Sequence, residues 1–177
     1  MKKLVSSAVV ASVLALAFAA DAKLAGKGSA TFEGKLSVGG GISGTSNEVS
    51  VSDDGTTVSV AVGLGHLATS NETRDKHVQE HLETDKNAAF KTATLKVARA
   101  KLKFEGGEGD ADGEITIHGV TKPVKFHYKA DKDGAAYRVK GNAHISVKDF
   151  GISIPNYLGV TMKDDVEITV AFNAAEQ

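Results

Sequence analysis

Cysteine and tryptophan are absent from this 177-residue chain, and proline occurs only twice. Without thiols there is no disulfide framework and no thiolate metal site, and lipid attachment at a lipobox cysteine is excluded. An excess of charge of either sign is also lacking. Twenty-one Lys and Arg stand against 22 Asp and Glu, for a net charge of −1, which leaves no electrostatic footprint for binding nucleic acid over an extended surface. No G-x-S-x-G elbow, P-loop or dinucleotide fingerprint occurs. Ser, His and Asp are too scattered to nominate a triad, and no cofactor is implied. Glycine, at 19 residues, exceeds its usual ~7% share while hydrophobic residues make up 41%, so the chain reads as globular and rich in turns. No internal repeat and no Pro- or Ser-rich linker divides it.

The first residues read as an address. Lys2 and Lys3 precede an uncharged apolar stretch from Val5 to Ala20, and Ala20-Asp21-Ala22 offers small residues where a signal peptidase reads them. An earlier cut after Ala17-Phe18-Ala19 fits the same rule. The stretch is short for a ~20-residue membrane span. Residues 1–22 are therefore expected to be a cleaved secretory signal peptide and residues 23–177 a single exported domain. Cleavage removes Lys2, Lys3 and Asp21 and moves the net charge from −1 to −2.

Beyond the leader, period-two alternation dominates. Val58, Val60, Val62 and Leu64 alternate with small and polar residues, as do Val124, Phe126 and Tyr128, and Val166, Ile168, Val170 and Phe172. Ala30, Phe32, Leu36 and Val38 share one parity, broken by Gly34 and ended by the Gly39-Gly40-Gly41 run. Between Thr94 and Phe104 the apolar parity switches from Leu95 and Val97 to Leu102 and Phe104, predicting a β-bulge near Arg99–Lys101. Asp53-Asp54-Gly55, Gly106-Gly107-Glu108-Gly109, Asp112-Gly113 and Asp133-Gly134 read as hairpin connectors able to supply positive φ. Only Ser70–Asp85 breaks the strand pattern. There Ser70 or Asn71 can cap a short helix with Val78 and Leu82 on one face. The expected fold is all-β: about eight antiparallel strands in one barrel, whose closure removes exposed edges.

Three chemical motifs need weighing. His77-Val-Gln-Glu80-His81 fits the H-x-x-E-H pattern of inverted zinc peptidases, but a further carboxylate ligand on a second helix is required and the rest of the chain is strand-like. A non-catalytic metal site at His77 and His81 and a solvated helix face are the other readings. Glu108, Asp110, Asp112 and Gly113 echo the start of a calcium loop, yet the twelfth position falls on Gly119 where a bidentate Glu is needed. Asn71-Glu-Thr73 matches a glycosylation sequon, a three-residue pattern short enough to occur by chance.

Three segments in order carry a resemblance: Thr69-Ser-Asn-Glu-Thr-Arg74-Asp75-Lys-His77 with Leu82, then Ile115-Thr-Ile-His118-Gly119-Val120-Thr121-Lys122-Pro123-Val124, then Lys148-Asp149-Phe150-Gly151-Ile152. With Pro155-Asn-Tyr157-Leu158-Gly159-Val160 and the terminal alternating strand, the chain resembles the YceI-like family over about residues 28–173. Those are lipocalin-like polyisoprenoid-binding proteins of the bacterial periplasm. It departs from them in a first strand that reads as shortened and in Asn87-Ala88-Ala89-Phe90-Lys91, where an aromatic-Pro stretch is usual.

The resemblance implies an eight-stranded antiparallel lipocalin-like barrel with one short helix near its mouth, located in the periplasm. It implies a binding or transport protein, not an enzyme, whose partner is an isoprenoid or related lipid, polyprenyl or quinone-like, with transient contact at a membrane surface. The expected ligand-binding residues are Leu64, Leu95, Val97, Phe104, Ile117, Phe126, Tyr128 and Ile145 along the lumen, with Arg74 at the mouth to hold a head group and Asp75 to orient it. The competing and slightly favoured reading of Arg74 and Asp75 is a structural ion pair and helix cap that fixes the connection to the barrel. His118 and Gly119 read as a turn, with Pro123 at a strand start. An eight-stranded barrel sits at the size where side chains either fill the interior or leave room for one small ligand. A filled-core accessory protein, acting in stress through its surface, therefore stands as the alternative to the carrier.

Overall fold

The computed structural model describes residues 24–103, 106–157 and 159–176. The expected leader and Phe104 lie outside the described residues.

Eight strands close into one antiparallel barrel. They are β1 (Leu24–Leu36), β2 (Gly41–Asp53), β3 (Thr57–Gly63), β4 (Thr92–Ala98), β5 (Gly107–Ile117), β6 (Val120–Asp133), β7 (Ala136–Ser146) and, after the two-residue spur β8 (Asn156–Tyr157), β9 (Val160–Glu176). Each strand pairs with its neighbour in sequence except at the end, where β9 pairs with both β7 and β1. That last pairing closes the ring, so that each of the eight has a partner strand on both sides. The long excursion between β3 and β4 holds the helix α1 (Glu72–Leu82), and the connection between β7 and β9 holds a 3-10 turn at Val147–Phe150. Both lie at the barrel end where β5 turns into β6.

Alternation in β3, β6 and β9 behaves as read: Val58, Val60, Val124, Tyr128 and Val166 are buried. Other readings need correction. The first strand is not shortened; β1 has 13 residues. Its pattern is obscured because Gly26 and Gly28 take inward or crossing positions where a Cβ would run into the β9 carbonyls of Asn173 and Ala171. A register shift between Gly28 and Ala30 adds to this. Val38 is not a strand residue but an exposed side chain in the β1–β2 turn, at 72% exposure.

No bulge occurs at Arg99–Lys101. A 3-10 turn there ends β4, so Leu102 belongs to a new segment and the parity change follows from a break in the strand. Nor are Gly107–Gly109 and Asp112-Gly113 hairpin connectors, since they lie within β5. Glu108, Asp110, Asp112 and Glu114 face outward there while Ala111, Ile115 and Ile117 are buried. At Gly113 a Cβ would meet the Lys96 carbonyl. Pro123 is the fourth residue of β6, not its first. It is tolerated because β6 pairs with β7 only from His127 onward, so no ladder on that side needs its missing N–H.

On the outer wall, His127 of β6 sits opposite Asp110 of β5. Its Nδ1 lies 2.9 Å from Asp110 Oδ1 and its Nε2 3.2 Å from Glu108 Oε1. The Asp110 hydrogen bond, with Glu108 assisting, raises the His127 pKa above its ordinary 6.5. A raised pKa in the folded state contributes stability that is fully present below 6.5 and is lost as pH rises through the folded value. Urea midpoints of the wild type are therefore expected to decline from mildly acidic into alkaline solution, and the decline to flatten in His127→Gln. Parallel profiles for the two proteins would remove this role.

Candidate functional site

The barrel encloses a cavity of about 270 Å³, close to the lower end of the ~300–1,000 Å³ typical of small-molecule sites. Its wall is built from the inward set of every long strand, because successive side chains of a strand point to opposite faces. Val60, Leu95, Ile117, Phe126, Ile145 and Ile168 contribute to it, and Leu67, Ile152 and Met162 close in at the helix end. At the far end Leu24, Leu102, Tyr128 and Tyr137 narrow it. The Tyr128 hydroxyl does not project into the lumen as an orphan: it accepts from the Lys103 backbone N–H at 2.8 Å.

Of the lumen residues expected from sequence, Leu64, Leu95, Val97, Ile117, Phe126, Tyr128 and Ile145 all line this cavity. Phe104 falls outside the described residues. Arg74 and Asp75 are not brought to the lining. Arg74 is exposed on the first turn of α1, where its backbone N–H donates to the capping Asn71 Oδ1 at 2.9 Å. Asp75 Oδ1 accepts from both the N–H and the hydroxyl of Thr69, each at 2.6 Å. These contacts give Asp75 the structural, helix-anchoring part of the other reading, while Arg74 enters the cap only through its backbone N–H.

The helix forms where it does for local reasons. Asn71 caps its N-terminus, Glu72 and Asp75 lie in its first turn, and Glu83 takes a left-handed conformation to end it, donating its N–H to the carbonyls of Gln79 and Glu80. None of its residues is fully buried. It is a cover laid across the barrel end, held by few ties: the Asp75–Thr69 bonds, Gln79 Nε2 to the Gly65 carbonyl, and His81 to Ser153. Glu83 Oε2 adds a contact at 3.5 Å to His118 Nε2. Lys86 chiefly, and His118 after it, holds the Glu83 carboxyl below its ordinary pKa. His118 itself has φ +52 and Gly119 φ +76, the two positive-φ positions of the tight turn joining β5 to β6. The His118 ring packs 3.9 Å from that of Phe90 and its Nδ1 reaches the Phe150 carbonyl at 3.2 Å.

Because Thr69 is buried, losing its carboxylate acceptor should cost about 2–3 kcal/mol. Asp75→Ala is expected to lower the urea midpoint accordingly and to speed exchange of amides in α1 ahead of those in the barrel. Uniform exchange throughout would mean that the helix is not a separately anchored cover.

Sequence reasoning missed the lid-side wall. Val78, His81 and Leu82 of α1, with Ile152, Ser153 and Pro155 of the loop before β8, line the cavity. The pairing of Val78 with Leu82 was readable from their spacing, and His81 shares their face at i+3 from Val78. His77 is exposed, while His81 turns to Ser153. Among the described residues no group of three or more His, Asp or Glu side chains is arranged so that it could hold a metal ion.

The sequence model of the YceI-like domain matches residues 18–174. The chain belongs to the YceI-like family. Among relatives, this YceI-like chain is 33% identical over 105 residues to a UPF0312 protein of Pseudomonas aeruginosa, a match covering 55% of the chain and 52% of the relative. It is 30% identical over 128 residues to Protein YceI of Salmonella arizonae, covering 68% and 63%. The matched region thus spans about half the length of the Pseudomonas protein. Among solved structures, a polyisoprenoid binding domain from Saccharophagus degradans superposes with a TM-score of 0.69 at 12% identity, over 88% of this chain and 99% of that one. BcnA of Burkholderia cenocepacia superposes with 0.63 at 13% identity, over 82% and 95%. At such identities the likeness shows a shared fold.

Proposed function

We propose that this YceI-like chain is an exported periplasmic carrier that sequesters an amphiphile with an isoprenoid tail, and that it binds its ligand without transforming it. The observation that carries this reading is the unfilled lumen, whose walls are almost wholly hydrocarbon. A filled-core accessory protein would have side chains meeting at the axis, as small barrels otherwise do. Each CH₂ transferred from water into such a lumen contributes about 0.8 kcal/mol, so one five-carbon unit supplies about 4 kcal/mol toward the cost of association. The likeness to a polyisoprenoid binding domain supports the same class of ligand. The apolar segment at Val5–Ala20, with its basic start and small-residue end, supports the reading of export.

Native mass spectrometry of the protein secreted by the cells that make it, with organic extraction of the same sample, tests this. A stoichiometric prenyl compound, lost on denaturation, is expected on a chain lacking residues 1–22. A chain that emerges empty and takes up no prenyl lipid when offered one would refute the carrier role. A mature mass retaining Met1 would refute export by cleavage.

A further inference from the structure

Along a hydrocarbon wall, the few side chains able to hydrogen-bond decide where the polar end of a ligand comes to rest. On α1, Val78, His81 and Leu82 occupy one face and all three line the lumen. His81 is the polar member of that face. Its Nδ1 lies 2.8 Å from Ser153 Oγ, and Ser153 lines the lumen from the loop between the Val147–Phe150 turn and β8. The pair joins the helix to the loop at one end of the cavity. With Nδ1 engaged, the ring has Nε2 left for a second partner, and a neutral imidazole can donate or accept there according to its tautomer.

No arginine lines the lumen among the described residues, and Lys103 is the lysine that does. Lys103 belongs to the opposite end. Its backbone donates to Tyr128 and its side chain lies beside Gly107 at the start of β5, whereas β5 reaches the helix end only at Ile117.

On the reading that the lumen carries a prenyl amphiphile, we infer that His81, oriented by Ser153, receives the polar terminus of that ligand and that this terminus is an uncharged oxygen function, a hydroxyl or a carbonyl. The His81–Ser153 contact stands at a rim open to water, and a phosphate, which carries about −1.5 to −2 charges, would find no lysine or arginine of the lining at this end to pair with it. A hydroxyl or carbonyl requires a single partner, and Nε2 provides one. The tail then runs away from the helix past Ile117, Leu95 and Phe126 toward Tyr128. Discrimination arises because a polar group placed to meet an oxygen is left unpaired by a hydrocarbon of the same shape.

The test titrates the chain without its leader with three 15-carbon probes: farnesol, farnesyl phosphate and farnesene. The wild type is expected to bind farnesol most tightly. His81→Leu keeps an apolar side chain under the helix and should weaken farnesol about tenfold, to the level of farnesene, while leaving farnesene unchanged. Ser153→Ala should act in the same direction with a smaller loss, since the ring remains. Equal weakening of farnesol and farnesene in His81→Leu would mean that His81 only holds the helix down, and the assignment would fall. It would fall equally if farnesyl phosphate were preferred and that preference vanished in Lys103→Ala. Both of those outcomes leave the carrier intact, whereas a wild type that binds none of the three probes removes the carrier reading itself.

Discussion

Ala143→Phe should abolish ligand uptake while leaving the barrel folded. Ala143 lies on β7 opposite Ile168 of β9, and both line the lumen. A phenylalanine suits a strand, and its ring would enter the roughly 270 Å³ of free space instead of pushing on close-packed neighbours. A ring occupying the place of one five-carbon unit removes about 4 kcal/mol of tail burial, or close to a thousandfold in affinity. Filling empty volume also recovers contacts that the lining lacks, so the urea midpoint is expected to hold or rise. Unaltered prenyl binding in this variant would mean that the ligand sits elsewhere. A collapse of stability would mean that the lumen is smaller than its walls suggest.

Arg99→Ala is expected to be the most damaging single truncation at the other end of the barrel. The Asp53 side chain is wholly buried and the Arg99 side chain is 16% exposed, and the two form an ion pair. Asp53 Oδ1 also accepts from the Gly55 N–H at 2.8 Å, while the Arg99 N–H donates to the Thr56 carbonyl at 2.8 Å. Together they tie the β2–β3 turn to the 3-10 turn that follows β4. Removing the guanidinium strands a buried carboxylate, a change that costs about 3–5 kcal/mol, or roughly 10 °C in Tm for a domain of this size. Arg99→Lys keeps the charge without the planar fork and should lose less. A loss below about 1 kcal/mol for the alanine variant would show that water reaches Asp53 and that the pair is a surface contact.

The walls of the site were legible because the lumen and the strand core are the same surface. Any residue that alternation turns inward is also a lining residue, which is why Leu64, Leu95, Ile117, Phe126 and Ile145 could be named from pattern and family likeness together. Glycine hid the rest of the fold. In β1 and β5 the inward or crossing positions are taken by Gly26, Gly28, Gly109 and Gly113, so period two survives only in what faces water, such as the acidic series Glu108, Asp110, Asp112 and Glu114. The parity switch after Val97 was real, but a bulge and a 3-10 break leave the same trace in a sequence, and the buried Asp53–Arg99 tie behind it joins residues 46 positions apart. The polar part of the lining could not be read from the sequence for a similar reason. Arg74 offered the stronger chemistry on paper, yet which turn of a helix meets a barrel rim depends on the loops at both of its ends. Here those loops bring His81 and Ser153, 72 positions apart, to the lumen and leave Arg74 in water.

The central claim is that the barrel axis is open to a prenyl tail, and a diffraction structure of the chain crystallised with farnesol reads this directly. The account predicts one continuous, slender feature of electron density inside the barrel, beginning at hydrogen-bonding distance from His81 and ending among Leu102 and Tyr128. Inward side chains of opposite walls in mutual contact along the axis, with farnesol absent from the interior, would contradict it.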